Sequence, residues 1–346
     1  MARPLTGSTP HDLGCGPNRL LVLGWVAHHT RNEGLAAELG GATAYVVWGR
    51  RGSPALAVLR YMVQFGLTVR ELFRRRPVRL VAMVPPFPAL AACLAYAKLT
   101  GTRLVGDVHT YPLVARTWRP FLGLTAWMLR QGQGAVVTNE ANAAVLRRRG
   151  VSTLVLDDTP RLAAGREDPP AADLRVVVSA SFDPDEPIDA IVAAARLRPA
   201  AQVVITGHDQ TGRIGGLEIP ANVTLTGYLP RADYEALLAT ATVVTTLTTL
   251  DDCMQQAGYE AMAWGRPLVT SDTHELRDYF GSAAVYVDSS AEGIAAGWDR
   301  AAAGAAELHR SMVDLGVRKV ADRAAEIAPL CKLLGLDGAV APQSEV

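Results

Sequence analysis

The sequence predicts an α/β protein of two doubly wound domains, and three observations carry that prediction. Short apolar runs alternate with longer helical patterns along the whole chain, as in parallel strands joined by crossover helices. The alternation stops once, in a stretch rich in Pro, Ala and charge from Asp157 to Asp173, and then restarts. The length, 346 residues, exceeds one ordinary core and suits two. Two such domains of similar size are expected to face each other across a deep cleft.

Each element follows from the same reading. Arg19 to Trp25 is an apolar run of strand length, and Arg31 to Leu39 follows it at helical spacing. Ala44 to Trp48 is a second strand. A long helical region runs from Ala55 to Arg75, with a break expected near Gly66, because glycine weakens a helix interior. Leu80 to Val84 is a strand stopped by Pro85-Pro86, Ala89 to Leu99 a buried helix, and Arg103 to Asp107 a strand. A helix over Arg119 to Arg130, a strand over Ala135 to Thr138, a helix over Asn139 to Arg149 and a strand over Thr153 to Leu156 complete the first set.

The second set places strands at Arg175 to Ala180, Gln202 to Thr206, Val223 to Thr226, Thr242 to Thr246, Pro267 to Thr270 and Ala284 to Val287. Helices are expected at Pro187 to Arg196, Arg231 to Ala239, Gln256 to Trp264 and His274 to Tyr279, and over much of Ala291 to Leu333. The domain boundaries read as 18–156, a linker at 157–172, a second domain at 173–312, and C-terminal helices at 313–335 that pack back on the first domain. The segments through Pro17 and after Gly335 read as loose.

Composition removes several classes. Lys plus Arg and Asp plus Glu are both 34, and this balance argues against general nucleic-acid affinity. Cys15, Cys93, Cys253 and Cys331 show no paired spacing, so neither a zinc site nor a disulfide framework follows, and a reducing cytoplasm suits them. No run reaches the eighteen or so apolar residues that a membrane span needs. The first residues lack the basic-then-apolar order of a signal peptide. The dinucleotide fingerprint G-x-G-x-x-G is missing after the first strand, where Gly24-Trp25-Val26-Ala27-His28-His29 stands instead.

The most informative stretch runs from Asp251 to Asp272. It sets two acids, Asp252 and Glu260, around a loop-to-helix junction, followed by a Gly265-Arg266-Pro267 turn and an apolar run. A helix start offers free N–H groups to a phosphate, and a carboxylate beside it accepts sugar hydroxyls. This stretch resembles the signature of retaining GT-B glycosyltransferases, the large family commonly numbered four. Their pattern is an acid, seven residues, then Glu-Ala-Met-Ala-x-Gly-x-Pro-Val-Val-x-Ser-Asp. Glu260-Ala261-Met262-Ala263, Gly265, Pro267 and Ser271-Asp272 reproduce it, with Asp252 at the matching distance.

The resemblance implies a GT-B fold, two Rossmann-like domains across a cleft, and transfer of a sugar from a nucleoside-diphosphate sugar to a hydroxyl acceptor with retention. It needs no metal and no cofactor beyond the donor. It points to polysaccharide, glycolipid or lipid-linked glycan synthesis. Glu260 takes the ribose hydroxyl position. Asp252 falls near the donor sugar, with Asp251 as its rival. The backbone at Gln255, Gln256 and Ala257 faces the diphosphate, and Tyr228, in Gly227-Tyr228-Leu229-Pro230, lies where the family's backbone meets the base. His109, after Asp107-Val108, lies near the reacting centre, where an imidazole can donate to a hydroxyl or move a proton.

The chain departs from the family in two places. The first acid is Asp rather than Glu, and Cys253-Met254-Gln255 follows it. The Arg and Lys that clamp the donor pyrophosphate are absent from Ser179-Ala180-Ser181-Phe182-Asp183-Pro184-Asp185-Glu186-Pro187, which is acidic. Arg31, His208 and Arg213 are candidate replacements. Asp183 and Asp185 have metal-motif spacing but read as helix-start residues.

The basic run Arg70 to Arg76, behind Arg60, Tyr61, Met62 and Phe65, has the make-up of a helix that rests on anionic lipid. It suggests contact with the inner face of the cell membrane and a carbohydrate or lipid-linked acceptor. The competing readings are a sugar-nucleotide epimerase of the same architecture, and a catalytically weak nucleotide-sugar-binding relative.

Overall fold

The computed structural model describes residues 15–49, 57–110, 113, 118–158, 161–163, 173–209 and 212–336. The chain divides into two compact units. The first holds the residues up to Thr159 and again from Arg323, and the second holds Pro160–Asp322.

In the first unit the strands are β1 (Leu20–Gly24), β2 (Ala42–Tyr45), β3 (Arg79–Val84), β4 (Arg103–Val108), β5 (Ala135–Val137) and β6 (Thr153–Val155). They form one sheet in the order β2-β1-β3-β4-β5-β6. Every neighbouring pair is parallel. The helices are α1 (Thr30–Glu38), α2 (Ala57–Arg75), α3 (Phe87–Thr100), α4 (Leu122–Gln131) and α5 (Glu140–Arg147). Side chains alternate across a strand, so both faces of this sheet need cover. Leu21 and Leu23 point into a core with Leu72, Leu90 and Leu129. Leu20 and Val22 point the other way, into a core with Leu35, Leu39, Ile327, Leu330 and Leu334.

The second unit repeats the plan with β7 (Arg175–Ser179), β8 (Gln202–Thr206), β9 (Val223–Gly227), β10 (Val243–Thr246), β11 (Leu268–Ser271) and β12 (Ala284–Val287). Their order is β12-β11-β10-β7-β8-β9, again parallel throughout. Counted from β7, this is the strand order of dinucleotide-binding domains, which receive ligands beyond the strand ends where the order reverses. Here that point lies between β7 and β10. The helices are α6 (Ile188–Leu197), α7 (Arg231–Ala239), α8 (Gln256–Ala263), α9 (His274–Phe280), α10 (Ala291–Ala303) and α11 (Ala305–Leu334), the last passing from the second unit into the first.

Trp298 of α10 is fully buried against Val269 and Val287, and its indole N–H donates to the Thr245 hydroxyl at 2.9 Å. Thr245→Val keeps the volume and orphans that N–H. It should lower unfolding stability by about 1–3 kcal/mol, read from a urea melt.

Some expectations change. The helix over Ala57–Arg75 runs through Gly66 without a break. Gly66 is solvent-exposed, while Gln64 bonds the Val46 carbonyl and Thr68 and Leu72 are buried, so packing on either side outweighs the glycine penalty. The expected start at Ala55 lies outside the described residues. The expected helix over Arg119 to Arg130 opens with a 3₁₀ turn, Arg119–Phe121, carrying Pro120, and only then becomes α-helical. Cys15 is buried and its thiol reaches the Arg75 carbonyl, so the first unit begins earlier than its sequence suggests. Residues 1–14 and 337–346, read as loose, lie outside the described residues, as does most of the 157–172 stretch.

Candidate functional site

The first unit gathers a charged cluster at the C-terminal end of β4. Arg31, in the first turn of α1, is only 2% exposed. Its Nε donates to both oxygens of Asp107 at 3.0 and 3.1 Å, its Nη1 to Asp158 Oδ1 at 2.7 Å, and its Nη2 to the Leu156 carbonyl at 3.0 Å. Asp107 is buried, which alone would raise its carboxyl, but the Arg31 guanidinium and then His109 outweigh this and hold it below the usual carboxylate range. His109 Nε2 lies 3.3 Å from Asp107 Oδ2, and its backbone N–H is fixed by the Val84 carbonyl at 3.0 Å. The His109 ring meets the His29 ring edge-on, with centroids 4.9 Å apart.

His29 therefore sits in a poor place for a second positive charge. Burial, then the neighbouring His109, pull its pKa down to about 4 from the ordinary 6.5. The folded state binds the proton less readily than the unfolded chain. Stability is thus full above about 6.5 and falls as the pH drops toward 4. We expect a loss of about 1–3 kcal/mol between pH 7 and 4.5 from urea melts, flattened in His29→Gln.

The second unit builds its site on the loops that leave β7 and β10. Glu260 lies in the second turn of α8, five positions beyond the N-cap Gln255, so it is too far in to cap the helix. Tyr234 of α7 donates its hydroxyl to Glu260 Oε2 at 2.7 Å and is also within hydrogen-bonding reach of Ser179 at the end of β7. Burial pushes the Glu260 carboxyl above its ordinary value, and the Tyr234 hydroxyl partly offsets this. Gln256 hydrogen-bonds Glu260 from the exposed first turn. Gln255 gives α8 no side-chain cap. Its Nε2 donates to the Leu247 carbonyl at 2.9 Å, and its Oε1 is buried without a partner among the described residues. Ala257 is buried, and Asp251 and Asp252 occupy an exposed turn.

The remaining predicted residues spread along the same edge. Tyr228, just after β9, is 78% exposed. His208, just after β8, is exposed and lines a pocket of about 380 Å³ with Phe182, Ile205, Gly207, Leu225 and Gly227. Gly207 is irreplaceable there, since a Cβ would come within 1.8 Å of the Ala180 carbonyl oxygen. A larger hollow of about 650 Å³ runs along β8, β9 and α7, and it contains none of the motif residues. Among the described residues, no group of three or more His, Cys, Asp or Glu is placed to hold a metal ion.

Arg31 belongs to the buried cluster of the first unit, with its guanidinium committed to Asp107, Asp158 and Leu156. Arg213 is likewise spent on the carbonyls of Asp183 and Glu186, at 2.6 and 3.0 Å. Asp183 and Asp185 do not start the following helix, whose N-cap is Pro187. Asp185 instead accepts from Thr248 at 2.6 Å and Asp183 from Ser181 at 2.9 Å. Sequence reasoning missed Tyr234, Asp158 and Glu186 as site residues, and it read His29, with His28 and Arg31, for phosphate or acceptor contact rather than as the half-buried neighbour of His109. Tyr234 carried a signal, because it follows the Gly227-Tyr228-Leu229-Pro230 turn at helical reach, and Glu186 carried one as part of the acidic loop after the first strand of the second domain.

Residues 175–303 match the family model described as glycosyl transferases group 1. No curated protein matches the chain in sequence. Solved structures resemble it across its length. HepE of Anabaena, in complex with UDP-glucose, is 13% identical over 90% of this chain and 99% of its own, with a TM-score of 0.70. Sucrose-phosphate synthase of Thermosynechococcus elongatus is 14% identical over 92% and 99%, at 0.71. A glycosyltransferase of Rickettsia africae is 10% identical over 92% and 99%, at 0.65. At such identities the likeness establishes the fold. The chain has the GT-B fold, and its residues 175–303 are similar to the group 1 glycosyl transferases.

Proposed function

We propose that the chain is a retaining glycosyltransferase that moves a sugar from a nucleoside-diphosphate sugar to a hydroxyl acceptor. The observation that carries this reading is Glu260, a carboxylate held by Tyr234 and Gln256 beside an uncapped helix start at the strand-order reversal. In this reading Glu260 accepts the ribose hydroxyls and the first amides of α8, at Gln256 and Ala257, receive the diphosphate. Their dipoles stabilise the charge that develops as the glycosidic bond breaks. Asp252 engages the donor sugar. The pocket of about 380 Å³ beside His208 and Gly227 takes the base, and Tyr228 covers it. His109, oriented by Asp107, donates to a sugar hydroxyl or moves the acceptor's proton. Arg31 supports that histidine as a positioning residue by fixing Asp107.

Both the fold and the family match support a nucleotide-sugar donor, and HepE binds UDP-glucose. Retention is tested by incubating the protein with UDP-glucose and its counterparts and following the product's anomeric proton by NMR. An α-linked product from an α-donor supports the reading, and a β-linked product ends it.

The acceptor side is proposed to meet an anionic membrane. Residues 57–131 hold eleven Lys or Arg against only Glu71 and Asp107, in a chain whose totals are equal. Val58, Leu59 and Met62 of α2, and Phe121, Leu124 and Trp127 at the start and along the outer side of α4, are exposed. Tyr61, Trp118 and Phe121 connect the two groups through ring contacts at 6.3 and 6.5 Å. Among the described residues no helix is long and apolar enough to cross a membrane, so this contact would be peripheral. Sedimentation with phosphatidylglycerol vesicles, reduced in Trp127→Glu and absent with neutral phosphatidylcholine, is the expected result. No sedimentation with either vesicle at low salt would rule it out.

A further inference from the structure

We propose that Glu186 stands in for a bound phosphate at the end of β7, and that it steers the donor's diphosphate away from that loop. The inference rests on reading the second unit as the donor-binding domain. β7 is the central first strand of that unit's order, and the loop after such a strand is where backbone amides ordinarily receive phosphate. In this chain the amides are already occupied. The Ser181 N–H donates to both Glu186 oxygens at 3.0 Å and the Phe182 N–H donates to Oε2 at 2.7 Å, while the Ser181 hydroxyl, 3.0 Å from Oε1 and 2.9 Å from Asp183 Oδ2, has one proton for either carboxylate.

The backbone is shaped for this. Phe182 is in the left-handed region at φ 60°, a conformation that turns successive amides toward one anion, and its ring is buried in the core of the domain. This buried non-glycine residue keeps that conformation with Glu186 as the partner of its amide. Glu186 is itself only 9% exposed. Burial pushes its carboxyl up while the Ser181 and Phe182 donors pull it down.

The surroundings offer an incoming phosphate little. Arg213 donates to the carbonyls of Asp183 and Glu186, on the same loop. Asp185 accepts from the Thr248 hydroxyl at 2.6 Å, and its carbonyl accepts from the Thr249 N–H at 2.9 Å. The acidic loop is thereby tied to the β10 loop that carries Asp252. A diphosphate entering here meets three carboxylates and no open amide pair. The amides at the start of α8 are left as its place, and the missing Arg/Lys clamp follows, because a clamp would have no phosphate to hold.

The test is calorimetric titration of inorganic pyrophosphate into the full chain and three variants. Glu186→Gln keeps the shape and removes the charge, Glu186→Ala opens the loop, and Asp189→Asn removes an exposed charge nearby without touching the loop amides. Both Glu186 variants should bind pyrophosphate about tenfold more tightly, or acquire saturable binding where the unaltered chain has none, and Asp189→Asn should change it less than about twofold. Equal or weaker binding in a folded Glu186→Gln, or an equal gain in Asp189→Asn, overturns the proposal. Pyrophosphate needs no nucleotide site. A gain on Glu186→Gln in a chain that binds no nucleotide sugar would keep Glu186 as the occupant of the loop and remove the donor reading together with the steering that rests on it.

Discussion

Arg31→Leu is expected to be among the most destabilising single substitutions in the first domain. The guanidinium is the partner of Asp107, 1% exposed, and of Asp158, so its removal strands two carboxylates in a poorly hydrated interior. Losing one member of a buried, hydrogen-bonded pair typically costs about 3–5 kcal/mol. That is a large part of the roughly 5–15 kcal/mol that holds a folded chain together. Arg31→Lys should recover part of the loss, because an ammonium restores charge without the fork that reaches Asp107, Asp158 and Leu156 together. The acid side provides a second readout. Asp107 is held below the usual carboxylate range, so it contributes stability above about pH 4 that is lost as the pH falls further. In Arg31→Leu that acid-side loss should largely vanish. A urea midpoint for Arg31→Leu equal to that of the unaltered chain would show that the cluster is not structural.

Glu260→Ala is expected to lower kcat/KM for the donor by at least about 100-fold while leaving the fold intact. A carboxylate that accepts two ribose hydroxyls makes charge-assisted hydrogen bonds, and their loss is worth about 3 kcal/mol or more. Tyr234→Phe removes only the hydroxyl that aims the carboxylate and should cost about tenfold. The Glu260 carboxyl is pushed up by burial, so donor binding should strengthen as the pH rises through a value above its ordinary range. Unchanged donor kinetics in Glu260→Ala would move the site elsewhere.

The fold was legible because its signals are local. Val176, Val178, Val203 and Ile205 lie in runs of strand length, and strands β8 and β12 and helix α7 have the bounds that periodicity assigns them. The Asp252–Glu260 spacing was legible for the same reason, since one loop and one helix carry it. The first-domain cluster was not. Arg31 meets Asp107 across 76 residues and Asp158 across 127, and only the strand order brings them together. His109 was read as a site residue from its place at a strand end, but the burial of Arg31 and the pairing of His29 with it depend on packing. The acidic loop after β7 stood out as a departure. Its meaning did not, because it turns on the backbone of Phe182 and on which donors reach Glu186. Gly66 shows the opposite error, a local signal overridden by its packed flanks.

The most direct test of the donor reading is calorimetric titration of the full chain with UDP, GDP, ADP and TDP and their glucose conjugates. We expect saturable, stoichiometric binding of one base class, abolished in Glu260→Ala, with binding of the nucleoside diphosphate itself intact in His109→Ala. A folded chain that binds none of them, or a Glu260→Ala variant that binds as well as the unaltered chain, would contradict it.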